Sequence, residues 1–194
     1  IHQYLSRDQG VFHADTPLTT AETASVFGEM LVFQRLMESL DDDRDRLAML
    51  VEKVDDTMAT VFRQITMNRF EDRIHDHRRT RGELAPDDLA AHWLDTQSAM
   101  YGDSVTLTDG YRHWWSYIPH FVHTPGYVYA YAFGELLVLA LFNLSRERGA
   151  DFVPQFIEIL AAGDSDWPEN ILAKAGVDLT DLSFWNEGLN ALRD

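Results

Sequence analysis

Three polar side chains lie on one stripe of a predicted apolar helix near the start of the chain. Glu22, Ser25 and Glu29 are spaced at i, i+3 and i+7, which places them on one face of an α-helix. Because carboxylates bind zinc, one interpretation is that Glu22 faces a metal ion and Glu29 supports the surrounding shell. The alternative is a capping box, in which Thr19 is the N-cap and Glu22 bonds back to its amide. The spacing alone leaves both interpretations open.

A second group of polar side chains lies around a loop bounded by prolines. His120 is in this loop, and Tyr127 and Tyr131 are four residues apart at the start of a predicted helix, so the two tyrosines share a helix face. A histidine and two phenols can donate several hydrogen bonds into one cleft, an arrangement that stabilises a developing negative charge. The alternative is an aromatic helix start that packs on Trp114 and Trp115.

The composition bounds the class of protein. The chain has 194 residues, of which 45% are hydrophobic and 12% aromatic, and this predicts one globular domain over residues 1–194. It has no cysteine, which excludes a disulfide framework, a thiolate zinc site and a cysteine nucleophile. The lack of cysteine fits a reducing compartment, and we predict a cytoplasmic location. A formal net charge of −16 argues against nucleic acids and anionic membrane surfaces as partners.

The element that carries the two tyrosines is also the most apolar stretch of the chain. Residues 128–144 are mostly apolar, but the stretch is short for a membrane span and contains Glu135. A carboxylate is costly in lipid, so we predict a buried core helix and no membrane span.

Hydrophobic periodicity predicts helices throughout and no sheet. The chain is therefore predicted to be all-α, a multi-helix bundle. In the long helix over 44–79, apolar residues at spacings of three and four predict a single core-facing stripe, formed by Leu47, Leu50, Val51, Val54, Met58, Val61, Phe62 and Ile65. The predicted helices cover 1–8, 19–40, 44–79, 86–101, 127–148, 151–162, 168–175 and 181–192.

Several blocks of sequence, in the same order, resemble one known family over essentially the whole chain. They are IHQYLS at 1–6, PLTTAETASVFGE at 17–29, VFRQ at 61–64, RFE at 69–71, YGD at 101–103, IPHF at 118–121, YVY at 127–129, YAFG at 131–134, AGVDLT at 175–180 and FW at 184–185. The chain resembles oligoendopeptidase F, a zinc metallopeptidase of the thimet oligopeptidase superfamily. The resemblance implies that the bundle is the C-terminal half of a larger helical metallopeptidase.

The resemblance also implies a zinc site to which this chain contributes one ligand. In the family an H-E-x-x-H-G segment, which supplies two histidine ligands and the general-base glutamate, would stand directly before Ile1. We expect it there, since the chain opens within a helix. Glu22 matches the third zinc ligand, and Glu29 matches the acidic residue that accompanies it on the same helix. The 194 residues alone are expected not to retain Zn²⁺.

The same resemblance assigns roles to the second group of polar residues. His120, Tyr127 and Tyr131 fall where the family places the hydrogen-bond donors that stabilise the transition state. The implied activity of the full-length protein is zinc-dependent endopeptidase cleavage of short peptides, with oligopeptides as substrates, and the isolated chain is expected to be inactive. The alternative is a non-catalytic helical scaffold or pseudoenzyme module. Self-association is expected through the apolar surface that the missing N-terminal part would cover.

Overall fold

A computed structural model describes residues 1–193, and no strand occurs among them. The prediction of an all-α chain is therefore confirmed. The α-helices are α1 His2–Ser6, α2 Thr23–Ser39, α3 Asp43–Thr57, α4 Gln64–Arg81, α5 Pro86–Tyr101, α6 His120–His123, α7 Tyr129–Arg148, α8 Phe152–Ala161, α9 Pro168–Ala173 and α10 Leu182–Arg193. Short 3₁₀ segments cover Arg7–Gln9, Asp109–Tyr117 and Gly149–Asp151.

The chain divides into two compact units. The first unit combines Ile1–Asp55 with the residues from Phe133 onward, and the second unit is Asp56–Ala132. Each unit has a hydrophobic cluster of its own. The prediction of a single folding domain over 1–194 remains a prediction.

The core of the first unit is built on α7. Leu137 and Leu141 are fully buried on this helix, and Phe27 of α2 stacks on Phe156 of α8 with ring centroids 4.2 Å apart. The expectation of a buried core helix is confirmed, because α7 contributes a large share of the buried apolar residues. No helix within residues 1–193 is long and apolar enough to cross a membrane.

The core of the second unit lies between α4 and α5. Phe70 packs edge-on against Trp93 with centroids 5.3 Å apart, and both side chains are almost inaccessible to water. Helix α5 begins at Pro86 as predicted, and the Asp88 carboxylate accepts a hydrogen bond from the Ala85 N–H at 2.9 Å. This contact satisfies one backbone donor at the helix start, which is why proline and acidic residues there predict a helix well.

The long predicted helix over 44–79 differs from the prediction in two ways. Its helical segment runs from Asp43 to Arg81, but a π-helical stretch, Met58–Arg63, separates α3 from α4. The apolar stripe was predicted to face the core, and this is wrong for most of its length. Val61 is buried, whereas six members of the stripe are exposed, at 42–62% of their surface: Leu47, Leu50, Val51, Val54, Met58 and Phe62. The spacing does place the α3 residues on one face, but within residues 1–193 that face stays about half exposed.

Candidate functional site

Glu22 lies at the N-terminus of α2, and the capping-box interpretation of it is wrong. The helix begins at Thr23, so Glu22 occupies the N-cap position and Thr19 lies three residues outside. The backbone before it forms turns, with Thr20 N–H donating to the Pro17 carbonyl at 3.0 Å and Thr23 N–H donating to the Thr20 carbonyl at 3.1 Å. These turn bonds replace the helical bonds that a start at Thr19 would require.

Glu22 has two close neighbours, Ser25 on α2 and Gly134 on α7. Its carboxylate accepts a hydrogen bond from the Ser25 hydroxyl at 3.0 Å, so two members of the predicted polar stripe do meet. On another side, a Cβ atom placed on Gly134 of α7 would lie 3.4 Å from the Cβ atom of Glu22. A methyl group at position 134 would therefore just reach van der Waals contact with Glu22, so α7 passes close to the start of α2.

Glu29, the third member of the stripe, belongs to a small ionic cluster in the first unit. Lys53 of α3 donates to its carboxylate at 2.6 Å and lies 3.5 Å from the carboxylate of Glu135 on α7. Glu135 is 5% exposed and Lys53 is 16% exposed. Burial by itself would lower the pKa of Lys53, but the hydrogen bond and charge of Glu29, together with the charge of Glu135, outweigh it and raise that pKa.

The described residues do not form a metal centre by themselves. No group of three histidine, aspartate or glutamate side chains that could hold a metal ion is present within residues 1–193. A catalytic zinc site in proteins uses three protein ligands, and Glu22 offers one carboxylate, while Glu29 is engaged by Lys53. Residues 1–193 therefore do not provide a complete set of zinc ligands.

The second unit brings His120, Tyr127 and Tyr131 together. His120 Nε2 and the Tyr131 hydroxyl oxygen are 3.0 Å apart. The His120 ring lies nearly parallel to the Tyr127 ring with centroids 5.9 Å apart, and the two tyrosine rings meet edge-on at 5.2 Å. All three side chains are partly exposed. The arrangement can present a histidine and two phenols to one bound group.

The elements that carry these residues differ from the prediction. His120 is not in a loop, because it begins the one-turn helix α6. Helix α7 begins at Tyr129, so Tyr127 precedes it and only Tyr131 is helical. Trp114, the expected packing partner in the alternative interpretation, has ring contacts with Tyr111 and Tyr117.

Two residues near these groups were not predicted to matter. Lys53 belongs to none of the predicted motifs, although Lys53 and Lys174 are the only lysines in a very acidic sequence, which makes each a candidate for an ion pair. Glu71 was quoted only as part of the RFE block, and nothing in its spacing indicates that it is buried. Lys53 contacts Glu29, and Glu71 contacts Gly126. Each pair is far apart in sequence, so a single sequence does not reveal these contacts.

Comparison with known proteins decides the family. Residues 1–191 match Peptidase family M3. The chain belongs to peptidase family M3. Oligopeptidase PepF of Bacillus subtilis (strain 168) is 33% identical over 181 residues, and Group B oligopeptidase PepB of Streptococcus agalactiae serotype III (strain NEM316) is 31% identical over 191 residues. The matches cover 93% and 95% of this chain but 27% and 31% of those relatives, so the chain spans less than a third of their length.

A solved peptidase structure contains a part with the same fold as this chain. The crystal structure of oligoendopeptidase-F from Enterococcus faecium superposes with a TM-score of 0.77 at 28% identity, and the match covers 98% of this chain and 38% of that chain. The resemblance to oligoendopeptidase F found in the sequence is thereby confirmed for family and fold.

Proposed function

We propose that the protein containing this chain is a zinc-dependent endopeptidase that hydrolyses short peptides. The observation that carries the proposal is the match of residues 1–191 to Peptidase family M3, supported by relatives named oligopeptidases. The substrates proposed are oligopeptides. A cytoplasmic location remains a prediction.

Zinc dependence is proposed for the whole protein and not for these residues alone. Glu22 is the proposed protein ligand within this chain, and two further ligands would have to come from elsewhere in the protein. Glu29 is the proposed supporting carboxylate, held by Lys53 at 2.6 Å. When bound, zinc in such a site supplies a Lewis acid. We propose that the 194 residues alone are inactive and do not retain the metal.

His120, Tyr127 and Tyr131 are proposed to stabilise the oxygen of the scissile carbonyl. Negative charge develops on that oxygen as the tetrahedral intermediate forms, and donors fixed in advance stabilise it without reorganising. The 3.0 Å contact between His120 and Tyr131 supports the proposal, because it holds the two polar groups in one orientation. The Tyr127 ring stacks on the imidazole of His120, with centroids 5.9 Å apart.

The test is steady-state kinetics on a quenched peptide with the full-length protein. Tyr127→Phe and Tyr131→Phe keep each ring and delete only the hydroxyl group, and His120→Ala removes the imidazole. Loss of one donor should lower kcat by about 10²–10³ while KM changes little, because the bond strengthens only as charge develops. Tyr129→Phe is the matched control. Tyr129 is the first residue of α7, and this variant should keep the wild-type kcat.

A different result would favour packing or a scaffold. If the three variants keep the wild-type kcat, the assignment of the oxyanion donors is wrong. If the full-length protein cleaves no peptide with zinc bound, the non-catalytic module becomes the better interpretation. Thermal unfolding of each variant shows whether any loss of kcat arises from a loss of stability.

A further inference from the structure

Glu71 is a buried carboxylate in the second unit to which the proposed reaction gives no role. It lies on α4, next to the core residue Phe70, and its side chain is 3% exposed. Burying a carboxylate is costly unless hydrogen bonds or charges compensate for it. A buried acidic residue that is retained in the interior therefore calls for an explanation.

The cost of burying the Glu71 carboxylate is offset by a hydrogen bond from the loop that contains Gly126. The backbone N–H of Gly126 donates to Glu71 Oε1 at 2.5 Å, and Nε2 of the half-exposed His75 lies 3.5 Å from the same oxygen. The second oxygen, Oε2, is buried and has no hydrogen-bond partner among the described residues. The hydrogen bond to Gly126 is therefore the main polar contact of this carboxylate, and it joins residues 55 positions apart.

Gly126 lies in the segment that joins His120 to Tyr127. Its φ of +79° is in the left-handed region, which glycine adopts without strain. Next to it the backbone turns tightly: Thr124 N–H donates to the His120 carbonyl at 3.0 Å, and Tyr127 N–H donates to the Thr124 carbonyl at 3.2 Å. A movement of Gly126 would therefore move Tyr127 directly and would loosen the end of α6.

We propose that Glu71 is a positioning residue that anchors the 124–127 loop and so holds Tyr127 against His120. Glu71 acts through its hydrogen bond to the backbone N–H of Gly126. The inference rests on the proposed function for its catalytic consequence, but the anchoring itself does not depend on activity.

The loop contact has properties that suit this role. The hydrogen bond lies in a buried place, where a backbone donor has few other partners, and it fixes the loop at one point. Glu71 also lies in the middle of α4, beside Phe70, which packs against Trp93 in the core of the second unit. Side chains on loops are held in place less precisely than side chains on helices. A contact from a helix therefore fixes the position of the loop that carries Tyr127 more precisely.

The experiment uses three substitutions in the full-length protein. Glu71→Leu keeps a similar volume and removes the acceptor, whereas Glu71→Gln keeps an acceptor oxygen and removes the charge. Asp72→Asn, at an exposed position on the same helix, is the matched control. Hydrogen exchange at the Gly126 amide, kcat, KM and thermal unfolding are measured for each variant.

The expected pattern separates anchoring from simple stabilisation. In Glu71→Leu the Gly126 amide should exchange about 10- to 100-fold faster, as expected for the loss of its hydrogen bond to a buried acceptor. The kcat should fall by about 10- to 100-fold with little change in KM, as expected for a small misplacement of catalytic groups. Glu71→Gln should restore slow exchange and most of kcat, and Asp72→Asn should match wild type.

Three results would overturn the inference. The first is unchanged exchange at Gly126 in Glu71→Leu, and the second is a normal kcat in that variant while His120→Ala is impaired. The third is a kcat loss that Glu71→Gln does not rescue. If Glu71→Leu does not fold, Glu71→Asp, which withdraws the carboxylate by one methylene, carries the same test. If His120→Ala keeps full activity, the proposed donors fail, while the exchange at Gly126 still decides whether Glu71 anchors the loop.

Discussion

At the scale of single residues, two groups of polar side chains carry the proposed chemistry: Glu22 with Glu29, and His120 with Tyr127 and Tyr131. Glu22 and Ser25 do meet, as their spacing suggests, and the three rings of the His120 cluster do converge. The capping box failed because a Thr19–Glu22 pair is an equally good pattern for a turn followed by a helix, and the turn bonds at Pro17 and Thr20 decide between them. The partners of Glu71 and Glu29 lie far away in sequence, so no local pattern could identify them.

The prediction for Glu22 concerns metal binding. In the full-length protein, Glu22→Ala should abolish tight zinc binding and activity together, because a three-ligand site would lose one ligand. Zinc content after dialysis, measured by atomic absorption, checks this. Glu38→Ala is the control and should keep its zinc, because Glu38 is an exposed residue of α2 whose partners, Gln34 and Arg35, are also at the surface. Full zinc content in Glu22→Ala would show that Glu22 is not a ligand.

At the scale of elements, the bounds of a helix were predicted best where residues typical of helix ends mark them. Helix α5 has the predicted bounds, because Pro86 and the acidic first turn begin it and Gly102 ends it in a left-handed conformation. The long helix was less predictable. No simple amino-acid pattern marks a π-helical segment. An apolar stripe is buried only where another element packs on it, and the sequence of the helix does not show whether one does.

The ionic cluster that joins α2, α3 and α7 gives a prediction about stability. Lys53→Met should lower the free energy of unfolding at pH 8 by about 3 kcal/mol, because Glu135 is buried and loses a nearby positive charge. Lys174→Met is the matched control, since Lys174 and Glu158 are 3.9 Å apart and both well exposed, and it should cost less than about 1 kcal/mol. Urea unfolding of this chain measures both values, and equal costs would contradict the account.

The pH dependence of the same cluster follows from the raised pKa of Lys53. A lysine whose pKa is higher in the folded state contributes stability that is fully present below about pH 10.4 and is lost as pH rises through the folded value. The stability difference between wild type and Lys53→Met should therefore narrow in strongly alkaline solution. Burial also raises the pKa of Tyr111 to about 12, but that group is present in both proteins and its contribution cancels.

At the scale of the whole molecule, the family and helical class were predictable, whereas the extent of exposed apolar surface was not. Leu31, Val32 and Leu36 of α2 and Leu47 and Val51 of α3 are all about half exposed. Periodicity identifies an apolar face, but it does not say whether the covering partner belongs to the same chain. We propose that in the isolated chain this surface leads to self-association.

The prediction for the isolated 194-residue chain is dimers or larger species at high concentration, despite a net charge of −16 that opposes them. Static light scattering over a wide concentration range measures the mass. Replacing Leu47 and Val51 with glutamate should return the chain to a monomer without unfolding it, while Glu52→Gln on the same helix should leave the association unchanged. A strictly monomeric wild-type chain would contradict the prediction.

The close approach of Gly134 to Glu22 restricts which substitutions this position tolerates. Alanine brings a methyl group to contact distance, 3.4 Å, and favours a helix by about 1 kcal/mol over glycine. Valine or leucine would add atoms where the Glu22 side chain begins, so the carboxylate would have to shift. In a saturation library selected for peptide cleavage by the full-length protein, Gly and Ala codons should survive at position 134 and bulkier ones should disappear. Recovery of leucine there would show that the proposed ligand tolerates displacement.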